Sequence, residues 1–172
     1  MKNIALSAAI LMAASGSVLA QDAGVYIGAK AGSFRIDAEE LDSNNPNGRG
    51  FVLGYNLGDG PAIEFERNTS DKFYAGLSGY NYGPEVEGEL ETTALYFAYR
   101  SQGTAFFKVK AGILKEDVKA SAYSASANES DTGLSVGAGF GFNLGDVVQA
   151  EAEYTIIEED VSFLSLGLNL RF

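Results

Sequence analysis

The last residues of the chain alternate between two kinds of side chain without interruption. Leu164, Leu166, Leu168, Leu170 and Phe172 fall on one face, and Ser165, Gly167, Asn169 and Arg171 on the other. A period of two marks a β-strand. This run, Val161–Phe172, is the eighth of its kind. The others are Gly24–Ile36, Gly50–Leu57, Pro61 to at least Arg67, Glu89–Arg100, Thr104–Lys115, Thr132–Leu144 and Val147–Ile157. Between the third and fourth runs the pattern leaves two options: Phe73–Tyr82 either continues the third strand or belongs to a long connection. Some connections are long and polar, such as Asp37–Arg49 and the Ser/Ala/Asp-rich stretch up to Asp131. They alternate with tight turns at Gly58-Asp59-Gly60, Ser101-Gln102-Gly103 and Gly145-Asp146. Pro46, Pro61 and Pro84 all fall in connections or at a strand start, where no ladder donor is lost.

The two faces differ in size as well as polarity. On the sixth run Leu134, Val136, Ala138, Phe140, Phe142 and Leu144 oppose Ser135, Gly137, Gly139, Gly141 and Asn143. The interior of an eight-stranded barrel is just wide enough to be filled by side chains. Small and polar residues suit that lumen, and large apolar ones suit lipid. Backbone groups in lipid must all be paired, so the last strand has to meet the first. The predicted fold is therefore all-β: an eight-stranded antiparallel up-and-down transmembrane β-barrel, with short periplasmic turns and longer external loops. Tyr55, Tyr99, Phe142, Tyr154 and Phe172 lie near run ends, where interfacial aromatics are expected.

The first twenty residues stand apart. Lys2 precedes an uncharged apolar run, Ile4 to Ala14, and Val18-Leu19-Ala20 supplies small or permitted residues before Gln21. This reads as a secretory signal peptide cut between Ala20 and Gln21, leaving 21–172 as one barrel domain. Its apolar core is too short to span a bilayer. The chain has no Cys, so an exported fold must hold without disulfides. It has no His either, which leaves the usual His-assisted hydrolase chemistry and Cys/His zinc sites without residues. No cofactor and no enzymatic activity are expected. A net charge of −11 argues against nucleic acid as a partner.

The inward face carries charge. Lys30 lies on the first strand, Glu64 and Glu66 on the third, Arg100 on the fourth, Lys108 and Lys110 on the fifth, Glu151 and Glu153 on the seventh, and Arg171 on the eighth. Unpaired buried charge is costly, so these groups are expected to form a lumen ion-pair network. An internal echo supports the arrangement. Gly54-Tyr55-Asn56-Leu57-Gly58-Asp59 recurs as Gly141-Phe142-Asn143-Leu144-Gly145-Asp146, and Glu64 and Glu66 follow the first turn at the offsets at which Glu151 and Glu153 follow the second. Two matching hairpins four strands apart face one another across an eight-stranded barrel. Most of the remaining carboxylates, including Glu85, Glu87, Glu89, Glu91 and Glu158-Glu159-Asp160, fall in the presumed external connections, where solvated loops or hard-cation contacts are the two readings.

The terminal strand resembles the insertion signal of bacterial outer-membrane barrels, with Ser165, Gly167, Leu170 and Phe172 at its specified positions. The opening strand, Gly24 to Gly32, resembles that of the outer membrane protein A and opacity-protein superfamily, and Lys30 matches the family's inward lysine. The resemblance covers Gly24 to Phe172, and the peptidoglycan-binding domain of full-length outer membrane protein A is not expected here. It implies a monomeric integral protein of the bacterial outer membrane, in contact with lipid and lipopolysaccharide and inserted by the barrel-assembly machinery. A structural role with displayed acidic loops is expected first. Loop-mediated adhesion or serum resistance, or a small porin-like channel, are the alternatives.

Overall fold

The computed structural model describes residues 23–36, 41–43, 45–77, 86–122 and 125–172; the leader, the Ala20–Gln21 junction, Pro84 and Glu85 lie outside the described residues. Among the described residues ten strands form: β1 (Gly24–Ile36), β2 (Leu41–Ser43), β3 (Asn47–Asn56), β4 (Pro61–Ser70), β5 (Phe73–Leu77), β6 (Val86–Arg100), β7 (Ala105–Ala122), β8 (Ala125–Leu144), β9 (Val148–Ile156) and β10 (Val161–Arg171). They make one sheet in the order β2-β5-β6-β4-β3-β1-β10-β9-β8-β7, and a further β6–β7 pairing closes it. Eight strands form the barrel wall. β2 and β5 extend it at the long-connection end, where Phe73 pairs with Gly88 beyond the last β4–β6 pair, Thr69 with Glu91, and Leu41 pairs with Leu77. The first and last barrel strands meet over their whole length, from Tyr26 opposite Arg171 to Ile36 opposite Val161.

The strands run further than the pattern predicts. Asn47, Gly48 and Arg49 are the first residues of β3, and β6 starts at Val86. Phe73–Leu77 takes the first of the two options, continuing the third run after a break at Asp71 and Lys72. The largest difference is the Ser/Ala/Asp-rich stretch. It is not a loop: β7 and β8 pair through it in register, from Lys115 opposite Thr132 to Ala122 opposite Ala125. Polar composition there does not mean that the backbone lacks a partner. A hairpin needs only its two strands to continue the ladder.

The tight turns are built as their residues require. Gly58, Asp59 and Gly60 have φ of 94, 53 and 112°, and Gly145 has 83°, the left-handed region that glycine enters without steric cost.

The outer wall is apolar. Leu134, Leu166 and Phe172 are 78, 70 and 75% exposed, and Ile27, Leu53, Phe65, Phe97, Ile113 and Phe140 share that face. A continuous exposed band of this kind belongs in lipid rather than water. Its external border is drawn by outward charges. Arg67 pairs with Glu91, Lys119 lies 3.5 Å from Glu91, and Lys115 lies 2.6 Å from Asp117.

The inner face alternates large with small. Tyr26 on β1 is opposite Gly54 on β3. A Cβ at Gly54 would fall 1.9 Å from the Tyr26 ring, so the glycine makes room for the tyrosine. Gly54→Val must displace Tyr26, and over-packing of this kind costs about 1–3 kcal/mol. The expected loss is measurable by urea unfolding of the refolded barrel, followed by far-UV circular dichroism.

Candidate functional site: the lumen ion-pair stack

Two layers of charge cross the lumen. In the upper layer Lys30 of β1 and Lys110 of β7 face each other, with Glu66 of β4 and Glu153 of β9 between them. Lys110 Nζ lies 2.7 Å from Glu66 and 2.6 Å from Glu153. Lys30 donates to Glu66 and lies 3.3 Å from Glu153. Each lysine thus bridges both glutamates. The ring follows from the sequence echo, because the hairpins β3–β4 and β8–β9 sit on opposite sides of the barrel and aim equivalent glutamates inward.

The lower layer lies nearer the short turns. Arg100 pairs with Glu64 and, at 2.6 Å, with Glu151. It also donates to the Tyr26 hydroxyl at 2.9 Å, which in turn donates to Glu64 at 2.6 Å. Lys108 ties the layers together, lying 2.9 Å from Glu64, 3.2 Å from Glu151 and 2.8 Å from Glu153. Oxygens of Glu64, Glu66 and Glu153 come within 4.8 Å of one another, the convergence a metal ion needs. Lysine ammonium groups pair with all three instead, so no metal ion is required to neutralise them.

Arg171 does not join this stack. It sits on the inward register opposite Tyr26, but half-exposed at the short-turn rim and in no ion pair among the described residues. Being next to last, it opens to water, where an unpaired charge costs little. Without it the stack contains four cations and four carboxylates. Of the terminal-signal positions, Ser165 and Gly167 face inward, Gly167 opposite Lys30, while Leu170 and Phe172 face lipid.

Alternation did not announce what covers the stack. Phe34, Leu90, Ala94, Tyr96, Leu114, Ile157 and Phe163 form a buried apolar cluster inside the external half of the lumen. Phe34 and Phe163 stack with centroids 4.3 Å apart. Lys110 Nζ lies 4.2 Å from the Tyr96 ring centroid, so the aromatic cap rests on the ionic ring through a cation–π contact. The signal was present as large residues on the small-residue face, Phe34 in step with Lys30 and Phe163 in step with Ser165. At the height of the cap, between Leu114 and Val118 on β7 and beyond the apolar outer band, Glu116 faces inward and is buried. Burial first, then Glu158 and Asp131, push its carboxyl up to about 7.

The model of the family described as "Outer membrane protein beta-barrel domain" matches residues 6–172. The chain belongs to that family. No curated protein sequence matches it. Among solved structures, Ail, the attachment invasion locus protein of Yersinia pestis, crystallised with the heparin analogue sucrose octasulfate, is 20% identical at a TM-score of 0.58; the alignment covers 87% of this chain and 97% of Ail. Neisserial surface protein A is 15% identical at 0.65, covering 90% and 100% of the two chains. OprG of Pseudomonas aeruginosa is 12% identical at 0.63, covering 88% and 98%. At these identities the likeness is one of fold. The family and these neighbours are bacterial outer-membrane barrels, the class to which the sequence resemblance pointed.

Removing one member of the stack leaves its partners buried without a counter-charge. Lys110→Met is expected to cost about 3–5 kcal/mol in urea unfolding, the usual penalty for breaking a buried pair. Combining it with Glu66→Gln should cost less than the sum of the two single changes, because the second change removes a charge that the first had orphaned.

Proposed function

We propose that this protein is a non-catalytic structural barrel of the outer membrane, with a plugged lumen and acidic segments displayed outside. The observation that carries this reading is the ion-pair stack beneath its apolar cap. Every charged side chain in the stack has an opposite charge within reach, and the cap above it is built from buried aromatic and aliphatic groups. A conducting pore needs charged or polar groups facing water along its axis. Here those groups face one another. In planar bilayers the refolded protein is expected to give no steady conductance, and a large, persistent open current would overturn the plug in favour of a small channel.

The chain's chemistry points the same way. With neither His nor Cys, it lacks the residues of common hydrolytic and metal-dependent sites. Attachment through the external hairpin β7–β8 is the second reading, favoured by the way that hairpin runs past the lipid band. A sulfated polyanion such as the ligand in the Ail crystal suits this chain poorly, since its net charge of −11 repels such a ligand.

In the cell, the leader is cut between Ala20 and Gln21, the assembly machinery reads Ser165, Gly167, Leu170 and Phe172, and the inserted monomer meets lipopolysaccharide at its outward rim. Fractionation is expected to yield an outer-membrane band of heat-modifiable mobility whose amino-terminal sequence starts at Gln21. A soluble band that does not shift on heating would sink this placement.

A further inference from the structure

A carboxyl group stands inside the apolar cap. Glu116 points into the lumen from β7, between Leu114, a buried member of the cap, and Val118, which packs against it. The residue is 7% exposed, and its Oε2 is shut off from solvent without a hydrogen-bond partner. Phe34 of β1, Leu90 of β6, Ile157 beside the β9–β10 turn and Phe163 of β10 belong to the same cluster. Such a setting suits a neutral group, because an ionised carboxylate buried there loses its water and gains no counter-charge.

The neighbours of Glu116 make ionisation harder still. On β6 the residue opposite is Thr92, whose hydroxyl already accepts from the Asn68 amide at 3.1 Å. On β8 the residue opposite is Asp131, and Glu129 takes the next inward position further out. The turn between β9 and β10 brings Glu158 within electrostatic range. The two charges that act on Glu116, those of Glu158 and Asp131, are both negative. Lys115 and Lys119 lie on the outer face, engaged by Asp117 and Glu91. Lys110, deeper on β7, is shared between Glu66 and Glu153. Burial first, then the two like charges, carry the Glu116 carboxyl from 4.5 up to about 7, so both of its forms are present at neutral pH.

We propose that Glu116 is a proton-operated latch on the cap. Protonated, the side chain is neutral and stays among the apolar groups, and the external half of the lumen excludes water. Ionised, it repels Asp131 and Glu158, takes water into the cap and loosens the β9–β10 turn from β7 and β8. The latch rests on the plugged lumen proposed above and governs its outer layer; the ionic stack below stays paired in both forms. The folded barrel holds the Glu116 proton more tightly than the unfolded chain does. The fold is therefore most stable, as far as this group is concerned, below pH 4.5, and that contribution is lost as pH rises through about 7.

The test is NMR of the isotopically labelled barrel, refolded in zwitterionic detergent and titrated from about pH 5 to about pH 9. The Glu116 side-chain carboxyl carbon is expected to titrate near pH 7, with the amide signals of Leu114, Val118 and Glu158 on the same curve. The chain has no His, so no imidazole titrates in this window. The Ile157 amide donates to the Val161 carbonyl across the turn at 2.9 Å. Its hydrogen-exchange protection, corrected for intrinsic pH dependence, is expected to fall about tenfold between the two ends of the titration. Glu116→Gln is neutral at every pH and is expected to keep the high protection throughout, with a urea midpoint that falls less than that of wild type. Asp131→Asn combined with Glu158→Gln changes only exposed residues and is expected to move the Glu116 midpoint toward the ordinary carboxylate range. Heat-modifiable mobility checks that each variant folds; should Glu116→Gln fail to do so, the double variant carries the comparison. The proposal is overturned if Glu116 titrates as an ordinary carboxylate, if the turn is equally protected at both ends, or if Glu116→Gln shows the wild-type loss. Bilayer recordings separate the latch from the plug. A steady current at the acid end overturns both, whereas unchanged protection without any current overturns the latch alone.

Discussion

A barrel of eight strands leaves a lumen so narrow that its side chains must touch, and in this protein many of those side chains are charged. Lys30, Lys108, Lys110 and Arg100 cannot be buried there without Glu64, Glu66, Glu151 and Glu153, nor the glutamates without them. Much of the interior follows from this mutual requirement. Glycines on β3 and β8 give the long side chains room to cross, as Gly137 does beneath Lys110. Tyr26 and Tyr96 lend rings and hydroxyls to the margins of the stack. The apolar cap keeps water away from one end and so strengthens each pair it covers.

The outer surface obeys the opposite rule. Lipid offers no hydrogen bonds, so the wall shows large apolar side chains and hides its backbone in continuous ladders. Closure between β1 and β10 is the step that makes this possible, because it removes the open edges of the sheet. Lys30 and Gly167 pair at that seam, so the strand that closes the barrel leaves a gap beside the lysine that anchors the upper ionic layer.

The positions of the strands were largely legible in the sequence. β1 and the start of β4 fall where alternation begins, and the two faces of β10 sort as their residues suggest. The ends of β7 and β8 were not legible. Their composition is polar on both sides, and only pairing between the two segments shows that the ladder continues. The charged residues could be assigned to the lumen by parity alone, but parity carries no depth. It could not separate Arg171, at a rim open to water, from Arg100, buried among carboxylates at the same end.

By itself the sequence determined which face of each strand meets lipid, since a period of two binds every residue to one side, and it matched glutamates to lysines in number because their hairpins repeat. Only the tertiary structure decided which charge meets which. That choice depends on height along the barrel axis and on which strands stand across the lumen. Both are set by inter-strand register and closure, quantities shared between segments and written in neither. The apolar cap arises the same way: Phe34 and Phe163 mean little on their own strands and acquire their meaning from the residue placed opposite.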